Sequence, residues 1–116
     1  MDNPQNKKFV GEYEKAYNAV PASYAMQAYD AAMLINSAVV AVKGDLSDKA
    51  KVAAAMKKAD FTSLRGEFKF SPNGYPIQDF YLTKVAKRAD SKFQTEIAQK
   101  VFTNYADKYA ASCTPQ

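Results

Sequence analysis

The residues of this chain that can do chemistry are few, and the missing types narrow the field. There is no histidine, and Cys113 is the single cysteine. Zinc and iron–sulfur sites built from Cys and His within the chain are therefore excluded, and nucleophilic triads lack their imidazole. Acid–base work would fall to carboxylates, lysines or tyrosines. Spacing does not gather the carboxylates: Glu12 and Glu14 project from different sides of a helix and make a poor acid/base pair. "FSPNGY", from Phe70 to Tyr75, lacks the glycine pattern of a phosphate-cradling loop and reads as a β-turn. The inventory points away from an enzyme and asks for no cofactor and no metal.

One stretch is different. "PASYAMQAYDAAMLINSAVVAVKG", Pro21 to Gly44, is mostly apolar yet opens with tyrosines and carries Asp30. It is a membrane span, a core helix, or a core helix whose first turn faces a ligand. At about 1.5 Å per residue it is roughly 35 Å long, enough to cross a bilayer. Gln27, Asp30, Asn36 and Ser37 are spread along it, however, and an intramembrane aspartate costs about 2.5–3.5 kcal/mol on insertion scales. Alanine also dominates where a span would show leucine. Tyr24, Ala28, Ala31, Ile35, Ala38 and Val42 form one stripe, with Ala25, Tyr29, Ala32, Asn36 and Val39 beside it. The pattern is that of a water-soluble helix buried on more than one side.

The elements around it follow from local signals. Asn3 caps and Pro4 opens a first helix bearing Phe9, Val10, Tyr13 and Tyr17, which ends at Asn18 or Ala19 because Pro21 disfavours helix before it. The second helix runs from Pro21 to Lys43, with Gly44 as its left-handed stop. A third begins at the cap Ser47 with Asp48 in its first turn, turns Val52, Ala55 and Met56 inward, and ends on Lys57–Lys58. Strands follow. Phe68 and Phe70 alternate with charges, "SPNG" turns, Ile77–Val85 is a second strand, and "RADSK" turns again. Phe93, Thr95, Ile97, Gln99 and Val101 alternate as the buried side of a third strand. The tail from residue 105 forms at most a short helical turn and frays.

With 116 residues, 47% hydrophobic and 24% charged, the chain is one domain of modest size rather than a disordered segment. Its net charge of +4 is spread. Lys7–Lys8, Lys57–Lys58 and Lys87–Arg88 sit in different elements, so no nucleic-acid stripe forms and no nucleic-acid partner is expected. "MDNPQNKKF" holds no secretory signal, which fits either a cytosolic protein or a native N-terminus elsewhere. Three helices and about three strands make an α/β arrangement that is not a complete lobe. So small a sheet cannot cover a helix apolar over so wide an arc. The chain is expected to be a piece of a larger fold, or to complete itself by self-association.

From "FVGEYEKAYNAVPASYAMQAYDAAMLINSAVVAVKG" to "KADFTSLRGEFKFSPNGYPIQDFYLTKV" the sequence resembles the C-terminal part of branched-chain amino-acid-type substrate-binding proteins of ABC transporters. The resemblance runs from about Phe9 to Phe102 and rests on the order and spacing of many positions rather than on one motif. It implies the type I periplasmic binding fold: two α/β lobes around a ligand cleft, with three hinge crossings. Residues 1–20 would be a helix of one lobe, 21–60 helices of the other, 61–104 strands including a hinge crossing, and 105–116 a tail. It further implies a periplasmic location, a small-molecule ligand (an amino acid or aromatic carboxylate), and a membrane permease as partner. Residues holding the ligand's carboxylate would lie upstream.

On the same resemblance Tyr24 would pack against the ligand, with Gln27 and Ala28 as weaker cleft residues. Tyr29 and Asp30 would be structural, Asp30 bonding nearby backbone at the helix start. Tyr75, Gln78 and Asp79 would lie near the hinge-crossing strand. Met26 and Gln27 are not the residues of the branched-chain amino-acid members, so the ligand is defined only as a small carboxylate. A complete small α/β interaction module, acting through its apolar helix face or a strand edge, is the alternative.

Overall fold

The computed structural model describes residues 1–113. Helix α1 spans Pro4–Tyr17 and is closed at both ends by its own sequence. The Asn3 side chain accepts from the Asn6 amide at 2.8 Å, and Pro4 occupies the first turn. Asn18 takes the left-handed conformation, φ 51°, and its amide donates to the Glu14 carbonyl. Phe9 is the buried residue of α1, packed against Tyr29 of the next helix at 5.0 Å between ring centroids.

That helix, α2, spans Ser23–Ala41, two residues shorter at each end than the sequence suggests. Pro21 and Ala22 remain outside it, and Ala22 offers no side-chain cap. At its C-terminus the Lys43 amide donates to Val40 and the Gly44 amide to Val39, a Schellman arrangement. The left-handed turn is shared by Lys43, φ 54°, and Gly44, φ 81°. α2 is not buried on more than one side: only Asp30 and Ala38 are buried, while Ile35 is 53% and Val40 67% exposed. The described residues supply partners for a single face. No helix among them is long and apolar enough to cross a membrane.

Helix α3 spans Lys49–Lys58 and packs along α2. Its cap is Asp48, which accepts from the Lys51 amide at 3.0 Å, rather than Ser47. The Ser47 hydroxyl and amide are both turned back onto Asp45, so that serine is spent on the preceding turn.

The sheet is antiparallel in the order β1-β2-β3, with β1 Lys69–Phe70, β2 Pro76–Lys87 and β3 Phe93–Tyr105. The "SPNG" turn forms as expected, with Gly74 at φ 82° and its amide on Ser71. β1 is short because it pairs only with Ile77 and Pro76, and Pro76 has no amide hydrogen to extend the ladder. Along β2 and β3 the register shifts three times, between Gln78 and Phe80, Phe80 and Tyr81, and Leu82 and Thr83. Each shift puts one extra residue on β3, which bends and twists the hairpin.

These shifts overturn the simple alternation read along β3. Gln94 and Glu96 are half-buried, whereas Phe93, Ile97 and Val101 are exposed. Of the tail from residue 105, Tyr105 ends β3 and Ala110–Ser112 form the short helical turn expected there, while residues 114–116 lie outside the described ones.

Helices and sheet meet through polar bridges more than through a shared core. Arg88, in the β2–β3 turn, pairs with both oxygens of Glu14 on α1. Lys92 reaches the Asn18 carbonyl at 3.1 Å and so satisfies the C-terminal end of α1. Phe9, Ala38 and Leu64 are the buried hydrophobic residues. The radius of gyration is 16.7 Å, against about 13 Å for a compact domain of this length. The described residues therefore form a frame with open faces rather than a closed globule.

Candidate ligand groove

A groove of about 930 Å³ opens where the first turn of α2 approaches the sheet. This is within the size range of small-molecule sites, about 300–1,000 Å³. Ser23, Met26 and Gln27 line it from α2, and Gln78, Asp79 and Tyr81 from β2. The α2 end is held there by Asp30, which is bonded to the Ser63–Arg65 loop.

Asp30 is the least expected feature. Its side chain is 2% exposed, and its carboxylate accepts from the Ser63 hydroxyl at 2.6 Å, the Leu64 amide at 2.9 Å and Arg65 Nε at 3.1 Å. A buried carboxylate is tolerated only when charge and hydrogen bonds are both supplied. Backbone does supply one of these bonds, the Leu64 amide, but it comes from the Ser63–Arg65 loop, distant in sequence, together with two side chains of that loop. That loop continues outward: Arg65 Nη1 donates to Gln78 Oε1 at 2.8 Å, and the guanidinium carbon lies 4.9 Å from the Phe68 ring centroid. Asn3 adds a strut, its Nδ2 donating to the Leu64 carbonyl at 2.8 Å. One network thus joins α1, α2 and β2 at the groove.

A second network sits at the bulges. Asp79 accepts from Lys100, from the Asn104 amide at 2.8 Å and from the Tyr81 hydroxyl at 3.1 Å. The register shift leaves the Asn104 amide without a ladder partner, and the carboxylate supplies one. Hydrogen bonding from Lys100, then from the Asn104 amide, holds the Asp79 carboxyl below its ordinary value. Burial, then the bond to Asp79, pushes the Tyr81 hydroxyl up.

Of the residues singled out in the sequence, Gln27, Gln78 and Asp79 line the groove. Tyr24 is 82% exposed and does not line it, nor do Ala28 and Tyr75. Tyr24, Gln27 and Ala28 stand at i, i+3 and i+4 and so share one helix face, of which Gln27 lines the groove. Tyr29 packs on Phe9, in keeping with a structural part. Arg65, Lys100 and Asn104 were not picked out. A buried aspartate on an apolar helix demands a cation, and the chain has two arginines, Arg65 and Arg88; that was the available signal for Arg65. The bulge pair had none.

The model of a family described as periplasmic binding protein matches residues 1–92 of the chain. The chain belongs to the periplasmic binding protein family. Leu/Ile/Val-binding protein homolog 6 of Brucella abortus, and its counterpart in Brucella suis, are 35% identical to it over 101 residues. The match takes in 84% of this chain but 26% of each relative, so the chain spans about a quarter of their length. An ABC transporter substrate-binding protein from Sphaerobacter thermophilus superposes with a TM-score of 0.76 at 22% identity, over 90% of this chain and 29% of that one. That likeness establishes the shared fold: the α/β arrangement here is part of a periplasmic binding protein fold.

Proposed function

We propose that this chain works as part of a two-lobed solute receptor of an ABC importer, in the periplasm. In this reading it closes on a small carboxylate, such as an amino acid or an aromatic acid, and delivers it to a membrane permease without chemical change. The observation that carries it is the groove between the α2 first turn and β2, at which a helix end and a hydrogen-bonded sheet element meet across polar walls. Tyr24 shares a helix face with Gln27, and an aromatic ring there offers broad contact at low entropic cost once a second lobe closes. Gln27 lines the groove, and Ala28 lies on the same helix face.

The bulged β2–β3 hairpin is read as the hinge-crossing element, and residues 1–20 and 21–60 as helices of different lobes. The open faces of α2 and the hairpin support a larger whole, because contiguous apolar surface on this scale is normally covered. The interaction-module alternative uses the same faces but gives no role to the groove.

The test is isothermal titration of the full receptor that carries this segment with L-leucine, L-phenylalanine and benzoate. Micromolar or tighter binding of at least one acid, weakened by Tyr24→Ala, is expected. Absence of binding by all three overturns the reading. The isolated segment is expected to bind none of them measurably, since it spans about a quarter of its relatives' length.

A further inference from the structure

The walls of the groove come from two parts of the chain. Phe9 and Val10 of α1 line one, and Thr83 of β2 and Gln94 of β3 line the other. Among the described residues, two polar bridges cross directly from α1 to the hairpin. Arg88 donates to both oxygens of Glu14, and Lys92 Nζ donates to the Asn18 carbonyl at 3.1 Å and to its Oδ1 at 2.9 Å. Glu14 stands one helical turn beyond Val10 and so on the same face of α1. Arg88 stands just past the end of the strand that carries Thr83. The bridges therefore tie the two walls together at one edge of the groove.

Both ends of the tie are built. The Arg88 amide donates to the Lys92 carbonyl at 2.8 Å and the Ser91 amide to the Arg88 carbonyl at 3.0 Å, so one closed turn holds the two cations side by side. Asp90 meets the same guanidinium at 3.2 Å. Opposite, Asn18 closes α1, and its carbonyl lies at the negative end of the helix dipole, where a cation is favoured. The Glu14 and Arg88 side chains are 23% and 26% exposed, sheltered beyond an ordinary surface pair yet within reach of salt. The joint also differs in kind from its neighbour. α1 holds α2 through the Phe9–Tyr29 ring contact, whereas no aromatic pair joins α1 to the hairpin among the described residues. Charged groups exchange their partners for water on opening, so this joint parts and re-forms more readily than a packed apolar one.

We propose that the Glu14–Arg88 and Asn18–Lys92 bridges form a clasp that holds while α1 and the hairpin stand together and must break before they part. The claim rests on the groove being the ligand's site in the receptor, and it adds a control on release. Contacts made in only one arrangement shift the equilibrium toward it by their own free energy. The clasp therefore lengthens the time a ligand is held. None of its four residues lines the groove, so it acts on the walls and not on the ligand.

The experiment is stopped-flow intrinsic fluorescence on the full receptor that carries this segment, using whichever of L-leucine, L-phenylalanine and benzoate binds most tightly. Arg88→Gln and Glu14→Gln are each expected to speed release about threefold to fivefold, with association changed less. The double variant should release little faster than either single one, because its second substitution removes a partner already lost. Arg88→Lys, which keeps the charge but not the fork, should fall between wild type and Arg88→Gln. Raising sodium chloride from about 0.05 to about 0.5 M should speed release by wild type more than by the double variant. Release rates unchanged in folded Arg88→Gln and Lys92→Gln would overturn the clasp and leave the receptor reading standing, even if their thermal midpoints fall. Fully additive effects in the double variant would overturn it too, as would slower association with unchanged release, which is the mark of steering. If Arg88→Gln fails to fold, Arg88→Lys and Lys92→Gln decide. If wild type binds none of the three acids, the receptor reading falls, and the clasp with it.

Discussion

The Asp30 carboxylate and the Arg65 guanidinium are 35 residues apart in sequence and 3.1 Å apart in the folded chain. Between them the Ser63 hydroxyl donates to Asp30 and accepts from the Arg65 amide, so a three-residue loop is closed over a buried charge. Removing one partner of a buried pair leaves the other uncompensated. Arg65→Ala should therefore destabilise the chain by about 3 kcal/mol or more, and Asp30→Ala by a similar amount. Ser63→Ala, which leaves the charges paired, should cost about 1–2 kcal/mol. Urea unfolding of the three variants checks the order; an Arg65→Ala midpoint equal to wild type would contradict it.

Asn3 has two duties that a simple cap does not. Its Oδ1 accepts from Asn6 and its Nδ2 donates to Leu64, 61 residues away. Asp48 caps α3 with no such long-range bond. An ordinary cap loss is about 1 kcal/mol. Asp48→Ala should show that value and Asn3→Ala about 2 kcal/mol, measured side by side by denaturant unfolding. Asn3→Ser, which keeps the cap but not the strut, should fall between.

Two long-range ion pairs contribute to the acid side of the stability profile, beside the local bonds that lower Asp2, Asp45 and Asp48. The hydrogen bond from Arg88 holds Glu14 below its ordinary 4.5, and that from Lys100, aided by the Asn104 amide, holds Asp79 below 3.8. For a carboxylate whose folded-state value is depressed, the stabilisation is complete above the unfolded value and is lost as pH falls through the folded one. The thermal midpoint should therefore be flat above about pH 5 and drop progressively below 4.5 and 3.8, the two ordinary values. Glu14→Gln combined with Asp79→Asn should lower the plateau and flatten that drop. A profile of unchanged steepness in the double variant would show that other groups govern it.

Ala59 closes α3 in the left-handed conformation, φ 52°, a position where glycine avoids the Cβ conflict. Ala59→Gly should stabilise the chain by about 0.5–1 kcal/mol, against the usual trend of glycine substitutions. Circular-dichroism melting gives the sign directly, and a lowered midpoint would contradict it.

What the sequence revealed divides by range. The α1 ends, the "SPNG" turn and the identity of the three helices are decided within four or five residues, by Asn3–Pro4, Asn18 and Gly74, and they stand as read. Even so, Ser47 and Asp48 are both good caps, and the choice falls to Asp48 because Ser47 is bonded to Asp45. The faces of β3 were not legible, because three extra residues break the period of two on which alternation depends. The groove was partly legible: Gln27, Gln78 and Asp79 were picked out, while Arg65 became visible only through its partner. Long-range polar pairing leaves little trace in local pattern, since any of several cations would satisfy Asp30 on paper.

The hairpin's open face yields the last expectation. Phe80, Phe102 and Tyr105 stack on one another with centroids 5.3–6.4 Å apart, yet are 42%, 52% and 43% exposed. Leu82 beside them is 57% exposed, and among the described residues β3 has no partner on its outer edge. Aromatic surface of this kind next to a free strand edge favours association. The chain on its own, 12.8 kDa, is therefore expected to self-associate, with a light-scattering mass that rises with concentration. A pair of charges on that face, Leu82→Lys with Phe102→Lys, should return it toward monomer while leaving the α1–α3 helical signal unchanged. On the proposed receptor reading, attachment to the remainder of such a protein should have the same effect by covering the face. A concentration-independent monomer with cooperative unfolding would instead mean that the exposed cluster is tolerated in water and that the frame stands unaided.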